Sequence, residues 1–113
     1  MTELTKKYFN KLEEKKMKNI QEMCVEAYEI AKSKGWHDEP REMGTVIALI
    51  HSEVSEALEA DRKGDYDNFV EELADVCIRI FDLCGSMGID LNKAIEEKME
   101  INRGREYKHG KRY

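Results

Sequence analysis

Two pairs of carboxylates define the chemistry this sequence can do: Glu53-Val54-Ser55-Glu56 and Glu72-Leu73-Ala74-Asp75. On a helix the three-residue step sets the two side chains one turn apart, with Cβ atoms about 5–6 Å from each other, so like charges repel. A carboxylate set against apolar neighbours is costly unless a cation or hydrogen bonds compensate. Two antiparallel helices, each bringing such a pair to the margin of a shared core, would converge four oxygen donors on one spot. That is a cation site. Oxygen ligands without His or Cys select Mg²⁺ or Mn²⁺ over zinc, and Mg²⁺ keeps positions for water and phosphate oxygens. A plain structural role competes with this reading. Glu-x-x-Glu is common on solvated faces of a chain that is 38% charged, and Arg79 could simply pair with Glu72 or Asp75.

Position on the helix separates the two readings. At a helical repeat, Met43, Val46, Ile47, Leu49, Ile50, Val54, Ala57 and Leu58 form an apolar arc of about 180°. Glu53 falls inside that arc and Glu56 at its edge, so something positive should face them. On the next helix, Leu73, Cys77, Ile80, Phe81 and Cys84, widened by Ala74, Ile78 and Leu83, form an arc of about 220°, which predicts burial on most sides. Its polar strip holds Glu72 at the arc's edge, then Arg79, then Asp75.

The elements carrying these pairs are helical. Strong helix formers dominate the 113 residues and Pro40 is the single proline, so the reading is all-α. Apolar spacing predicts a helix over Leu4 to Ser33, stopped by Gly35, and a second over Pro40 to Lys63. A third covers Asn68 to Ser86, capped by Asp67 and closed by Gly85 and Gly88. A fourth covers Leu91 to Asn102, capped by Asp90. Short connections between long helices favour antiparallel neighbours and hence a four-helix bundle. One domain, 1–113, is expected, with 1–15 as a helical extension and 104–113 as a basic tail. So short a chain with such wide apolar arcs is expected to self-associate as a homodimer or homotetramer.

The formal charge of −5 is unevenly spread, because Lys98 to Tyr113 carries six Lys/Arg against two Glu. No recognition motif accompanies this basic end, so nucleic acid is not an expected partner. The longest apolar run, Val46 to Ile50, is far short of the roughly 20 residues of a membrane span, and a cytoplasmic protein without membrane contact is expected. Cys24, Cys77 and Cys84 form no CxxC and read as buried free thiols. A di-iron bundle would need Glu-x-x-His on paired helices, and Glu106-Tyr107-Lys108-His109 lies in the tail. His37 and His51 have no motif around them.

Glu53-x-x-Glu56 followed after 15 residues by Glu72-x-x-Asp75, in the contexts Ile50-His51-Ser52-Glu53 and Glu71-Glu72-Leu73-Ala74-Asp75-Val76, resembles the MazG-like all-α nucleoside triphosphate pyrophosphohydrolases, relatives of the dCTP and dUTP pyrophosphatases. The resemblance runs from about Ala31 to Lys111 and includes a C-terminal pattern, Lys98-x-x-x-Asn102-x-x-Arg105, followed by His109-Gly110-Lys111. Lys98, Asn102 and Arg105 share one helical face, a strip suited to phosphate oxygens, or else a basic helix end favoured by its dipole.

By that resemblance Glu53, Glu56, Glu72 and Asp75 hold Mg²⁺, with Mn²⁺ as substitute. A (d)NTP is split between its α and β phosphates into a (d)NMP and pyrophosphate, an activity suited to nucleotide-pool house-cleaning. Glu53 or Glu56 would take the proton from water. Trp36 resembles in position an aromatic that relatives place beside the nucleobase, although it could equally staple the helix junction. The rival of a different class is a non-enzymatic helical oligomerisation module with salt-bridged acidic pairs, which needs no magnesium.

Overall fold

Among the described residues, from Ile20 onward, four α-helices and a 3₁₀ turn follow one another: α1 (Ile20–Ser33), α2 (Met43–Arg62), α3 (Tyr66–Met87), α4 (Leu91–Arg103) and Tyr107–Gly110. The structure, a computed structural model, describes Thr2, Glu3, Lys6 and residues 17–112, His109 as backbone only; no strand occurs among the described residues. The extension expected over 1–15 lies outside the described residues apart from Thr2, Glu3 and Lys6. The expected all-α class is the observed one.

Helix α3 is the central element, packed along both α1 and α2, while α4 lies against α1. Close contact between α1 and α3 depends on Gly85. A Cβ there would lie 2.3 Å from the Cys24 carbonyl oxygen and 2.8 Å from the Tyr28 Cβ, so only a residue without a side chain lets the two backbones meet. Gly85 therefore does not help to end the helix, as its position near the terminus suggested. Gly88 does so by itself, left-handed at φ 66° and donating to the Cys84 carbonyl.

The other helix ends show how local signals fared. Asn19 caps α1 by accepting from the Glu22 N–H at 2.8 Å, so the helix begins at Ile20 and does not run unbroken from Leu4. Helix α2 starts at Met43, not Pro40, because Glu42 is extended (ψ 132°) where side chains of the connection are tied to α3. Gly64, at φ 70°, turns the chain out of α2, and Asp65, not Asp67, caps α3 through the Asn68 N–H at 3.1 Å. Asp90 caps α4 as expected, accepting from Lys93 N–H at 3.0 Å.

Among the described residues the buried apolar core is small: Cys24, Val46, Ala57, Ala60 and Cys84. Burial pushes the Cys24 and Cys84 thiols up, and Cys84 adds to the effect on Cys24. Cys77, read as buried, is exposed. The wide arc of α3 is likewise not covered on most sides: among the described residues α1 and α2 pack on two flanks, and Leu73 and Ile78 are about half exposed. Helix α2 leaves Val54 and Leu58 open in the same way. Among the described residues, no helix is long and apolar enough to cross a membrane.

Candidate active site

Glu53 faces α3 because it lies in the apolar arc of α2, one turn before the buried Ala57, and only 9% of it is exposed. What meets it there is Arg79, whose Nε donates to Oε1 at 2.8 Å. The positive partner expected opposite the carboxylates is thus supplied by the chain, through Glu53 and not through Glu72 or Asp75. That hydrogen bond is the leading reason the Glu53 carboxyl is held below its ordinary range, against the opposing effect of burial.

Glu56, one turn along α2, and Glu72 on α3 complete a cluster. Glu53, Glu56 and Glu72 each offer one carboxylate oxygen, all within 4.8 Å of one another. The Glu56 carboxylate beside Glu72 pushes the Glu72 carboxyl up to about 7, followed by desolvation and by Glu53; Glu56 and Asp75 also act by charge. One Glu72 oxygen, Oε2, is buried with no hydrogen-bond partner. Buried acceptors are nearly always satisfied, so an orphan among like charges marks a place where a cation or proton belongs. With oxygen donors only, the residues fit Mg²⁺ or Mn²⁺.

Of the four carboxylates singled out in the sequence, three meet. Asp75, one turn after Glu72, is exposed on the wall of an adjoining cavity of about 720 Å³. That cavity is bounded by Ala27 and Ile30 of α1, by Trp36 and Arg41 of the connection, by Leu49 and Glu53 of α2, and by Asp75, Arg79, Phe81 and Asp82 of α3. Trp36, 69% exposed, also lines it. Lys98 and Asn102 on α4 and Arg105 just beyond it are exposed, and none of the three lines this cavity. His51 is exposed.

Sequence reasoning missed a second polar group. Asp82 is 8% exposed; its Oδ1 accepts from His37 Nε2 at 2.7 Å and its Oδ2 from an Arg41 guanidinium nitrogen at 3.2 Å. A signal was present, because Asp75, Arg79 and Asp82 recur at steps of four and three and so form one strip of α3. Asp82 also interrupts Ile80-Phe81 and Leu83-Cys84. A polar residue so placed needs a partner, and nothing local identified His37 or Arg41, which lie more than 40 residues away.

An acidic cation cradle opening beside an aromatic-lined cavity can hold a metal–phosphate group next to a planar ring. Residues 48–112, more than half of the chain and all four carboxylates included, match the MazG-like family. The chain belongs to the MazG-like family. A relative from Cyanophage S-2L, named dATP/dGTP diphosphohydrolase, is 37% identical to this MazG-like chain over 67 residues, 59% of the chain and 60% of the relative. The MazG-like chain thus spans less than two thirds of the length of that relative. No solved structure matches it significantly.

Proposed function

We propose that the protein is a Mg²⁺-dependent nucleotide pyrophosphohydrolase that cleaves a (d)NTP to a (d)NMP and pyrophosphate. The observation carrying this reading is the convergence of Glu53, Glu56 and Glu72, with an unpartnered buried Glu72 oxygen, beside a cavity that Trp36 helps to line. The family and the name of the phage relative point the same way. Glu53, Glu56 and Glu72 would hold the cation, with Asp75 as a fourth ligand from the cavity wall. When bound, Mg²⁺ acts as a Lewis acid towards phosphate oxygens and lowers the pKa of water.

The remaining work falls to the side chains. Deprotonated Glu72 turns an oxygen towards the cluster, and Arg79 offsets part of the crowded negative charge through Glu53. Of the two carboxylates assigned to proton transfer, Glu53 is the poorer acceptor because Arg79 holds its proton affinity down, which leaves Glu56 to take the proton from water. Trp36 offers a face for the base. Lys98, Asn102 and Arg105 are assigned to phosphate oxygens. Because they do not line the cavity of their own chain, that contact requires α4 to move or a neighbouring copy to supply it.

We assign the protein to the cytoplasm as a nucleotide-pool house-cleaning enzyme, and to a homodimer or homotetramer formed through the open apolar faces of α2 and α3. Pyrophosphate release from a panel of standard and modified NTPs and dNTPs, with and without Mg²⁺, tests the activity. Turnover should require Mg²⁺ and disappear in Glu53→Ala and Glu72→Ala. Metal-dependent turnover absent across the panel would favour the second reading, a non-enzymatic helical module, which the Glu53–Arg79 ion pair and the exposed apolar faces also suit. Undiminished turnover in both variants would remove the residue assignment and keep the enzyme.

A further inference from the structure

We infer that Arg41, aimed by the buried Asp82, reads the base in the cavity and selects guanine over adenine; this rests on the nucleotide reading above. Asp82 has spent both carboxylate oxygens on the connection between α1 and α2, one on His37 and one on Arg41. A carboxylate only accepts, so His37 Nε2 carries a hydrogen, and the ring is further held edge-on by Tyr28 at 4.8 Å between centroids. The arrangement ties the connection to α3 and anchors one end of the Arg41 guanidinium at Asp82.

Arg41 has donors to spare. Of its five N–H groups, one reaches Asp82, and the others have no partner among the described residues. The side chain is 26% exposed, yet none of its nitrogens is sealed away unsatisfied, so the free donors open onto solvent-filled space. Arg41 lines the same cavity as Trp36 and the carboxylates Glu53 and Asp75. A planar fork of donors, anchored at one nitrogen and lining the same cavity as an indole ring, suits a flat ligand with two adjacent acceptors on one edge. Guanine offers O6 and N7 in that arrangement, whereas adenine puts an N6 amino donor in the place of O6. Arg41 is then a specificity residue, and Asp82 and His37 are positioning residues.

The test is kcat/KM for dGTP, dATP, dCTP and dTTP with Mg²⁺, for the wild type, Arg41→Met, Arg41→Lys and Asp82→Asn, each checked for a cooperative thermal transition. The wild type should favour dGTP over dATP by about tenfold or more, the scale of one bidentate base contact. Arg41→Met and Arg41→Lys should both bring that ratio close to one, because lysine keeps the charge and loses the fork. Asp82→Asn should narrow the ratio, which lost stability alone would not do. A proportional fall for all four nucleotides in Arg41→Met would make Arg41 a phosphate contact and overturn the inference. So would a loss specific to dCTP, or an Arg41→Lys variant that still discriminates. An unchanged ratio in folded Asp82→Asn would remove Asp82 from the assignment. Wild-type protein that hydrolyses none of the four, nor any nucleotide of the wider panel, would instead refute the nucleotide reading on which the inference rests.

Discussion

Glu72 keeps a proton at pH 6 that an ordinary surface glutamate would have lost, because Glu56 and Glu53 crowd its carboxyl and lift it to about 7. A bound cation must expel that proton. Affinity for Mg²⁺ should therefore weaken as pH falls through about 7, with proton release below it, and calorimetry in two buffers of different ionisation enthalpy should show a buffer-dependent heat at pH 6 that Glu72→Gln abolishes. The same shift acts on folding. The carboxyl titrates near 4.5 when unfolded and about 7 when folded, so its contribution to stability is fully present below 4.5 and is lost as pH rises through 7. With EDTA present, Tm should decline across that window, and Glu72→Gln should flatten the decline. Arg79 belongs to the same balance. Arg79→Ala leaves Glu53 facing Glu56 and Glu72 unrelieved and should destabilise the EDTA-treated protein by about 1–2 kcal/mol, less than for a fully buried pair because Arg79 is partly solvated. Mg²⁺ should restore much of that loss in a urea titration; equal losses with and without Mg²⁺ would argue against a shared cation site.

Between elements, the decisive contact is the one Gly85 permits. Gly85→Ala would gain about 1 kcal/mol of helix propensity if α3 stood alone. In the folded chain the new methyl meets the Cys24 carbonyl and the Tyr28 side chain, and a backbone atom cannot step aside. Net destabilisation of about 1–3 kcal/mol is expected from chemical denaturation, and a neutral or stabilising outcome would mean that α1 and α3 do not approach so closely. The cap at Asp65 is a milder case: Asp65→Ala should cost about 1 kcal/mol and leave the metal site in place.

For the whole molecule, the issue is the apolar surface left open among the described residues. Val54 and Leu58 on α2 and Leu73 and Ile78 on α3 are each about half exposed, while the buried apolar side chains among the described residues are two thiols, two alanines and Val46. These are the faces that the proposed self-association would cover. Sedimentation should report a species heavier than the 13.2 kDa chain, and Leu58→Glu with Ile78→Glu should shift it towards the monomer. A monomer in the unaltered protein at micromolar concentration would exclude self-association through these faces.

Helix existence and the carboxylate pairs were legible in the chain because both depend on short-range periodicity: a three-residue step places Glu53 beside Glu56 and Glu72 beside Asp75 whatever surrounds them. Asp65 was legible in kind but not chosen, since Asp67 lay two residues away, and Asn19 was passed over because the apolar spacing was read straight through it. The structure decided everything that requires knowing which face meets which. Only packing of α2 on α3 brings Glu72 to Glu53 and Glu56 and gives Arg79 to Glu53. Only the approach of α1 turns Gly85 from a presumed terminator into a contact. Asp82 left a local trace, but its partners His37 and Arg41 did not, being joined to it across more than 40 residues by hydrogen bonds that no local pattern encodes. Periodicity is a property of one helix, whereas a site belongs to the space between helices.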